Sequence, residues 1–164
     1  MIDATMAAFI EGPVMTVLAA RDDALRPSIG RGIGTRCLAG GTLADTLVPR
    51  ALWPAVTANL HPGWPLALTF VDAASYQSFQ VKAQIEALAP ADAADLDLAR
   101  RYRALVMAKL TALGVTNEQM AWWLSERDLM RVRYRPLDLY RQTPGPGAGS
   151  RIVAGGAPVA GGTP

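Results

Sequence analysis

Apolar residues recur in short alternating runs through roughly the first ninety positions, and afterwards in one long helical stripe. Residues 1–11 predict a short helix, broken by Gly12-Pro13, and residues 14–20 a first strand. The polar, turn-forming stretch Arg21 to Pro27 then leads, as a hairpin, into a second strand over residues 28–38. Gly40-Gly41 turns the chain into a third strand at 42–48. Leu52, Trp53, Val56 and Leu60 predict a helix over 49–60, which His61-Pro62-Gly63 stops. A continuous apolar run at 64–71 and an alternating one at 76–88 complete five strands in about ninety residues, the density expected of a small barrel.

The later part changes period. Leu98, Tyr102, Leu105, Val106, Leu110 and Leu113 share one side of a helix that begins near Pro90 and ends at Gly114. Thr116-Asn117-Glu118-Gln119 has the form of a capping box, so a second helix is expected from there to about Glu126, followed by a strand over 127–140. In that strand Arg131, Arg133 and Arg135 alternate with Met130, Val132 and Tyr134, giving a basic face and an apolar one. The basic face is either solvated or turned to an acidic partner. From 143 to 164 the chain is Gly, Pro, Ala, Thr and Ser with few apolar anchors, so the expected organisation is a domain at 1–142 and a flexible tail at 143–164.

Composition sharpens this picture. At 164 residues, 51% of them hydrophobic and 18% charged, the chain suits one domain with a generous interior or a buried subunit interface. Sixteen Lys+Arg against 14 Asp+Glu leave a net charge of +2, too little to hold a nucleic acid by charge. Only Lys82 and Lys109 are lysines, so the positive charge is almost all guanidinium, a group shaped for phosphate and carboxylate; coding-sequence base bias explains the same usage equally well. Cys37 stands alone, which excludes an internal disulfide and a cysteine-rich metal site and fits a reducing compartment. The acidic start and the lack of any membrane-length apolar run lead to the expectation of a cytoplasmic protein without a membrane partner.

The familiar catalytic patterns are missing: no phosphate loop, no dinucleotide-type glycine fingerprint and no set of metal-ligand residues, so no metal is expected and the catalytic residues stay unassigned. His61, in a loop, is either incidental or an axial ligand for haem, and Cys37 is a small hydrophobe before it is a reactive thiol. Gly30, Gly32 and Gly34 sit at period two and bare one strand face, which a ligand, a barrel corner or a crossing helix would each exploit. Two segments offer phosphate-binding groups: Arg26-Pro27-Ser28-Ile29-Gly30-Arg31-Gly32, and the stretch from Ser75 to Lys82. On a strand, Ser78, Gln80 and Lys82 point the same way at steps of about seven ångströms.

Strand, Arg-Pro hairpin, glycine-bearing strand, helix, apolar strand and then Tyr76-Gln77-Ser78-Phe79-Gln80-Val81-Lys82 resemble, in that order, the pyridoxamine 5'-phosphate oxidase-like split-barrel proteins. The likeness spans about residues 9–140, with Gln80-Val81-Lys82 the closest motif. It implies an α+β fold, a split β-barrel of about six antiparallel strands with flanking helices, working as a homodimer that binds FMN between protomers. It implies that Arg26, Ser28 and Arg31, with Ser78, Gln80 and Lys82, contact the phosphate, ribityl chain or ring. A flavin oxidoreductase fed by a nicotinamide donor is the leading functional expectation. The alternatives are a non-catalytic binder or sensor holding flavin, haem or deazaflavin, or having no cofactor. Trp122 or Trp123 would reach a neighbouring protomer's cofactor or pack the core. The arginine-and-lysine phosphate motif of the true pyridoxamine-phosphate oxidases is absent, which points away from pyridoxal-phosphate synthesis.

Overall fold

The computed structural model describes residues 2–152. Their order is α1 (Ala4–Ile10), β1 (Met15–Arg21), β2 (Pro27–Gly32), β3 (Thr35–Leu38), a 3-10 turn (Ala39–Gly41), β4 (Leu43–Pro49), α2 (Pro54–Thr57), β5 (Pro65–Val71), β6 (Ser78–Pro90), α3 (Ala93–Ala112), α4 (Asn117–Ala121), β7 (Leu129–Arg141) and β8 (Arg151–Ile152). The strands form one antiparallel sheet in the order β2-β1-β5-β6-β7-β4-β3, with β8 added on β7.

The two ends of that order are consecutive pieces of chain, and this rolls the sheet. The stretch expected as one strand over 28–38 breaks at Ile33-Gly34, where Gly34 adopts a φ of 115° that favours glycine. Around the break, Ile33 N–H donates to the Leu47 carbonyl at 2.8 Å and Leu47 N–H to the Gly34 carbonyl at 3.0 Å, so β2 leaves β1 and the chain crosses to β4. Alternation then decides what lies inside. Leu18 of β1, Leu66, Leu68 and Phe70 of β5, Phe79, Val81, Ala83 and Ile85 of β6, and Val132 and Tyr134 of β7 fill the roll, with Ile10 of α1 and Val56 of α2 packed against them.

A second core lies outside the roll. Asp92 caps α3 in a reciprocal capping box with Asp95, and Ala99, Tyr102, Val106 and Leu110 recur at helical spacing to bury its inner stripe against Ile33, Leu47 and Leu129. Gly34 admits α3: a Cβ there would lie 3.2 Å from Leu98 Cγ. The expected capping box at Thr116 and Gln119 is present, but the helix it starts is only Asn117–Ala121. The helix expected over 49–60 likewise shrinks to Pro54–Thr57, since Pro54 supplies no backbone donor and opens the turn rather than continuing one.

The glycine-bared face is filled by protein. A Cβ on Gly30 would stand 2.5 Å from Val56 Cγ1 and one on Gly32 2.6 Å from Thr46 Cγ2, so α2 and the barrel interior occupy the space. Residues 143–150 turn back so that Arg151 and Ile152 pair with Tyr140 and Leu139; the rest of the expected tail lies outside the described residues. Among the described residues, no helix is long and apolar enough to cross a membrane.

Candidate functional site

One part of the roll's outer surface has no helix to finish it. The outward residues of β1 and β5, Val17, Ala19, Ala67 and Thr69, are each half-buried and belong to neither core. Antiparallel register sets them in rows across the sheet. Arg31, Val17, Thr69, Gln80 and Tyr140 make one row, and Ile29, Ala19, Ala67, Lys82 and Asp138 the next. Ile29 at 63% and Leu137 at 55% exposure extend this face with large apolar groups in water.

Of the six residues expected to hold a cofactor, four point to this face. Ser78, Gln80 and Lys82 alternate with the interior residues Phe79, Val81 and Ala83, as their period requires. Arg31 shares the face three strand spacings, or roughly 14 Å, from Gln80. Its guanidinium lies 4.6 Å from the Trp123 ring centroid. Gln80 donates its amide to the Thr69 hydroxyl at 3.3 Å, and Lys82 rests its ammonium 4.7 Å from the Tyr140 ring centroid. Ser78 is buried; its backbone N–H donates to the Thr143 hydroxyl at 3.0 Å and its carbonyl accepts from the Thr143 and Gln142 amides. The other two residues lie elsewhere. Ser28 has the opposite parity and accepts from the Asn59 amide at 3.0 Å, and Arg26 sits in the hairpin turn, ion-paired with Asp22 at 2.7 Å.

Beside Lys82 the face sinks into a cleft of about 410 Å³, within the ordinary range for small-molecule sites. Ala19, Ala67, Pro65 and Leu137 give it an apolar lining, and Arg21 and Lys82 bring two cations that have no carboxylate partner among the described residues. Arg21 donates to the Asp22 carbonyl at 3.2 Å and lies 5.7 Å from the Trp64 ring centroid, which leaves most of its donors unspent. Leu137 reaches the cleft through a β-bulge: between Lys82 and Ala83 the register with β7 slips, Asp138 opposing Lys82 and Pro136 opposing Ala83, so Leu137 is the extra residue.

Sequence reading missed Arg21 and Leu137. The outward parity of Val17 and Ala19, followed one step further, leads to Arg21; the bulge that delivers Leu137 leaves no comparable signature. His61 is exposed in the loop before β5, packed edge-on to Trp64 with centroids 4.8 Å apart, and is not part of the cleft lining. Cys37 is half-buried, and its thiol is pushed up to about 12, first by burial and then by the charge of Glu11. Trp122 is 82% exposed.

The arginine face of β7 is spent on internal carboxylates. Arg133 grips Asp45 through two hydrogen bonds of 2.8 and 3.0 Å, Arg131 bridges Asp92 and Asp95 at 2.8 Å each, and Arg135 pairs with Glu86. Arg36 joins the fully buried Asp45 and Asp95, at 2.9 and 2.8 Å. Burial alone would raise the Asp45 pKa, but the hydrogen bonds from Arg133 and Arg36 outweigh it and hold the carboxyl below its usual range. This network ties the start of α3 to β3, β4 and β7, Arg131, Arg133 and Arg135 each being paired with a carboxylate of this chain.

No family model matches the chain, and comparison with the curated proteins finds no match. Among solved structures, HupZ from Group A Streptococcus is similar with a TM-score of 0.52 at 15% identity, over 91% of this chain and 100% of that one. An F420 reductase is similar with a TM-score of 0.50 at 18% identity, over 80% of this chain and 93% of that one. At these identities the likeness speaks for the fold alone, a rolled antiparallel sheet of split-barrel type with flanking helices.

Proposed function

We propose that this split-barrel chain is an FMN-binding protein of oxidoreductase type, whose cofactor lies on the uncovered outer face of β1, β5 and β6. The observation that carries this reading is the cleft itself. It combines an apolar lining that suits a planar ring with two cations, Arg21 and Lys82, that lack carboxylate partners among the described residues and suit a phosphate. The donor set fits the group: Arg21 and Lys82 would hold the phosphate, Ala19, Ala67 and Leu137 would carry the ring, and Gln80 lies within the same face to offer an amide. FMN bound there would supply hydride and electron transfer, and the chain would supply orientation and the exclusion of water.

A second copy of the chain completes this reading. Ile29, Leu137 and the half-buried row of β1 and β5 form an apolar face, and a homodimer would cover it and close the cleft. Deazaflavin is the second reading for the cofactor. The F420 reductase has the same fold, and the two cations suit the phosphate of either group.

The test is the absorption spectrum and mass of whatever copurifies with the full chain, followed by addition of FMN and of reduced nicotinamide cofactors. A flavin spectrum that bleaches with NADH or NADPH supports the oxidoreductase reading. A bound flavin that no nicotinamide cofactor reduces favours a binder without turnover. A colourless protein that leaves added FMN unbound removes the proposal.

A further inference from the structure

Lys82 and Asp138 stand directly opposite each other on β6 and β7, a position in which opposite charges ordinarily pair. Instead the Lys82 ammonium lies over the Tyr140 ring, and the Asp138 carboxylate is taken by Arg151. Arg151 is brought there by a built turn. Thr143 is fixed to the Ser78 backbone, Gly149 N–H donates to the Arg141 carbonyl at 2.8 Å, Arg141 N–H to the Ser150 carbonyl at 2.9 Å, and Arg151 then registers with Tyr140, one step from Asp138.

We propose that Arg151 is a positioning residue for the anion site: by holding Asp138 it keeps the charge of Lys82 available to a phosphate in the cleft. This rests on the cofactor reading above for its purpose, but its geometry is read without any ligand. Without Arg151, Asp138 has one cation across the strand to turn to, and Lys82 has a carboxylate closer than any ligand phosphate. The cleft then keeps its shape and loses half of its unpaired positive charge.

Lys82 and Lys109 are the only lysines, so lysine-selective ¹³C labelling of the full chain gives two sets of Cε–H signals, and the set over an aromatic ring face stands out by its upfield shift. In Arg151→Ala the Lys82 signals should move downfield as the ammonium leaves Tyr140, and FMN affinity should fall about three-fold at low ionic strength, the size expected of a partly exposed ion pair. Adding Asp138→Asn to the same chain should restore both, and Arg151→Lys should retain both. Lys82 signals that stay in place in Arg151→Ala overturn the proposal whatever happens to FMN. A Lys82 shift that moves and is restored in a chain that binds no FMN upholds the positioning of Lys82 and overturns the cofactor assignment instead.

Discussion

The hydroxyl of Tyr102, buried in the middle of α3, donates a 2.8 Å hydrogen bond to the main-chain carbonyl of Val14, at the threshold of β1. One side chain thus fastens the outer helix layer to the first strand of the barrel. Burial pushes the phenol up to about 12, so it stays a donor throughout the neutral range. Tyr102→Phe leaves that carbonyl without its partner and should lower stability by about 1–2 kcal/mol in urea unfolding, with the fold intact by circular dichroism. Tyr102→Ala opens a cavity as well and should cost about 3–5 kcal/mol.

The Asp45 network predicts an acid limb to stability. The folded pKa of Asp45 is depressed by Arg133 and Arg36, so its contribution is fully present above the unfolded carboxylate value of about 4 and is lost as pH falls through the lower folded value. Asp72, held below its usual range by Lys109 and by the Ser75 and Ala74 amides against the opposing effect of burial, adds to the same limb. Asp45→Asn should flatten the decline that sets in as pH falls below about 4. It should also cost about 2–4 kcal/mol at pH 7, because two guanidinium groups lose a buried partner. Thermal melts across pH check both.

Gly30 should resist any side chain. An alanine Cβ there meets Val56 Cγ1 at 2.5 Å and Trp53 Cβ at 3.0 Å, so Gly30→Ala should destabilise by about 1–3 kcal/mol. Removing the Val56 methyl groups in the double variant Gly30→Ala/Val56→Ala should make the two costs less than additive. A double-mutant cycle by chemical denaturation measures this.

Much of the element order was legible because alternation and helical spacing report burial directly, as in Phe79, Val81, Ala83 and Ile85 against Ser78, Gln80 and Lys82. What was not legible depends on partners distant in sequence. The bare face at Gly30 looked the same whether a ligand or α2 lay across it. Arg131, Arg133 and Arg135 looked like an open basic face because Asp92, Asp95, Asp45 and Glu86 come from other elements. For the site, parity placed Lys82 and Gln80 outward and would have placed Ser28 on the opposite side. The bulge at Leu137 is set by strand pairing, and neither composition nor period announces it.

Cys37 should behave as a packing residue. With its thiol pushed up to about 12 and its surface half-buried against the first core, a disulfide reagent at pH 8 should react far more slowly with the native chain than with the chain in denaturant. Equal rates in the two states would contradict the burial argument.

The cleft account turns on phosphate recognition by Arg21 and Lys82, and the most direct measurement is the affinity of the full chain for FMN against riboflavin, which differ by the phosphate alone. The account predicts FMN binding at least about ten-fold tighter, with Lys82→Ala and Arg21→Ala each removing most of that preference while leaving riboflavin affinity nearly unchanged. Equal affinity for the two flavins, or a preference that survives both substitutions, would contradict it.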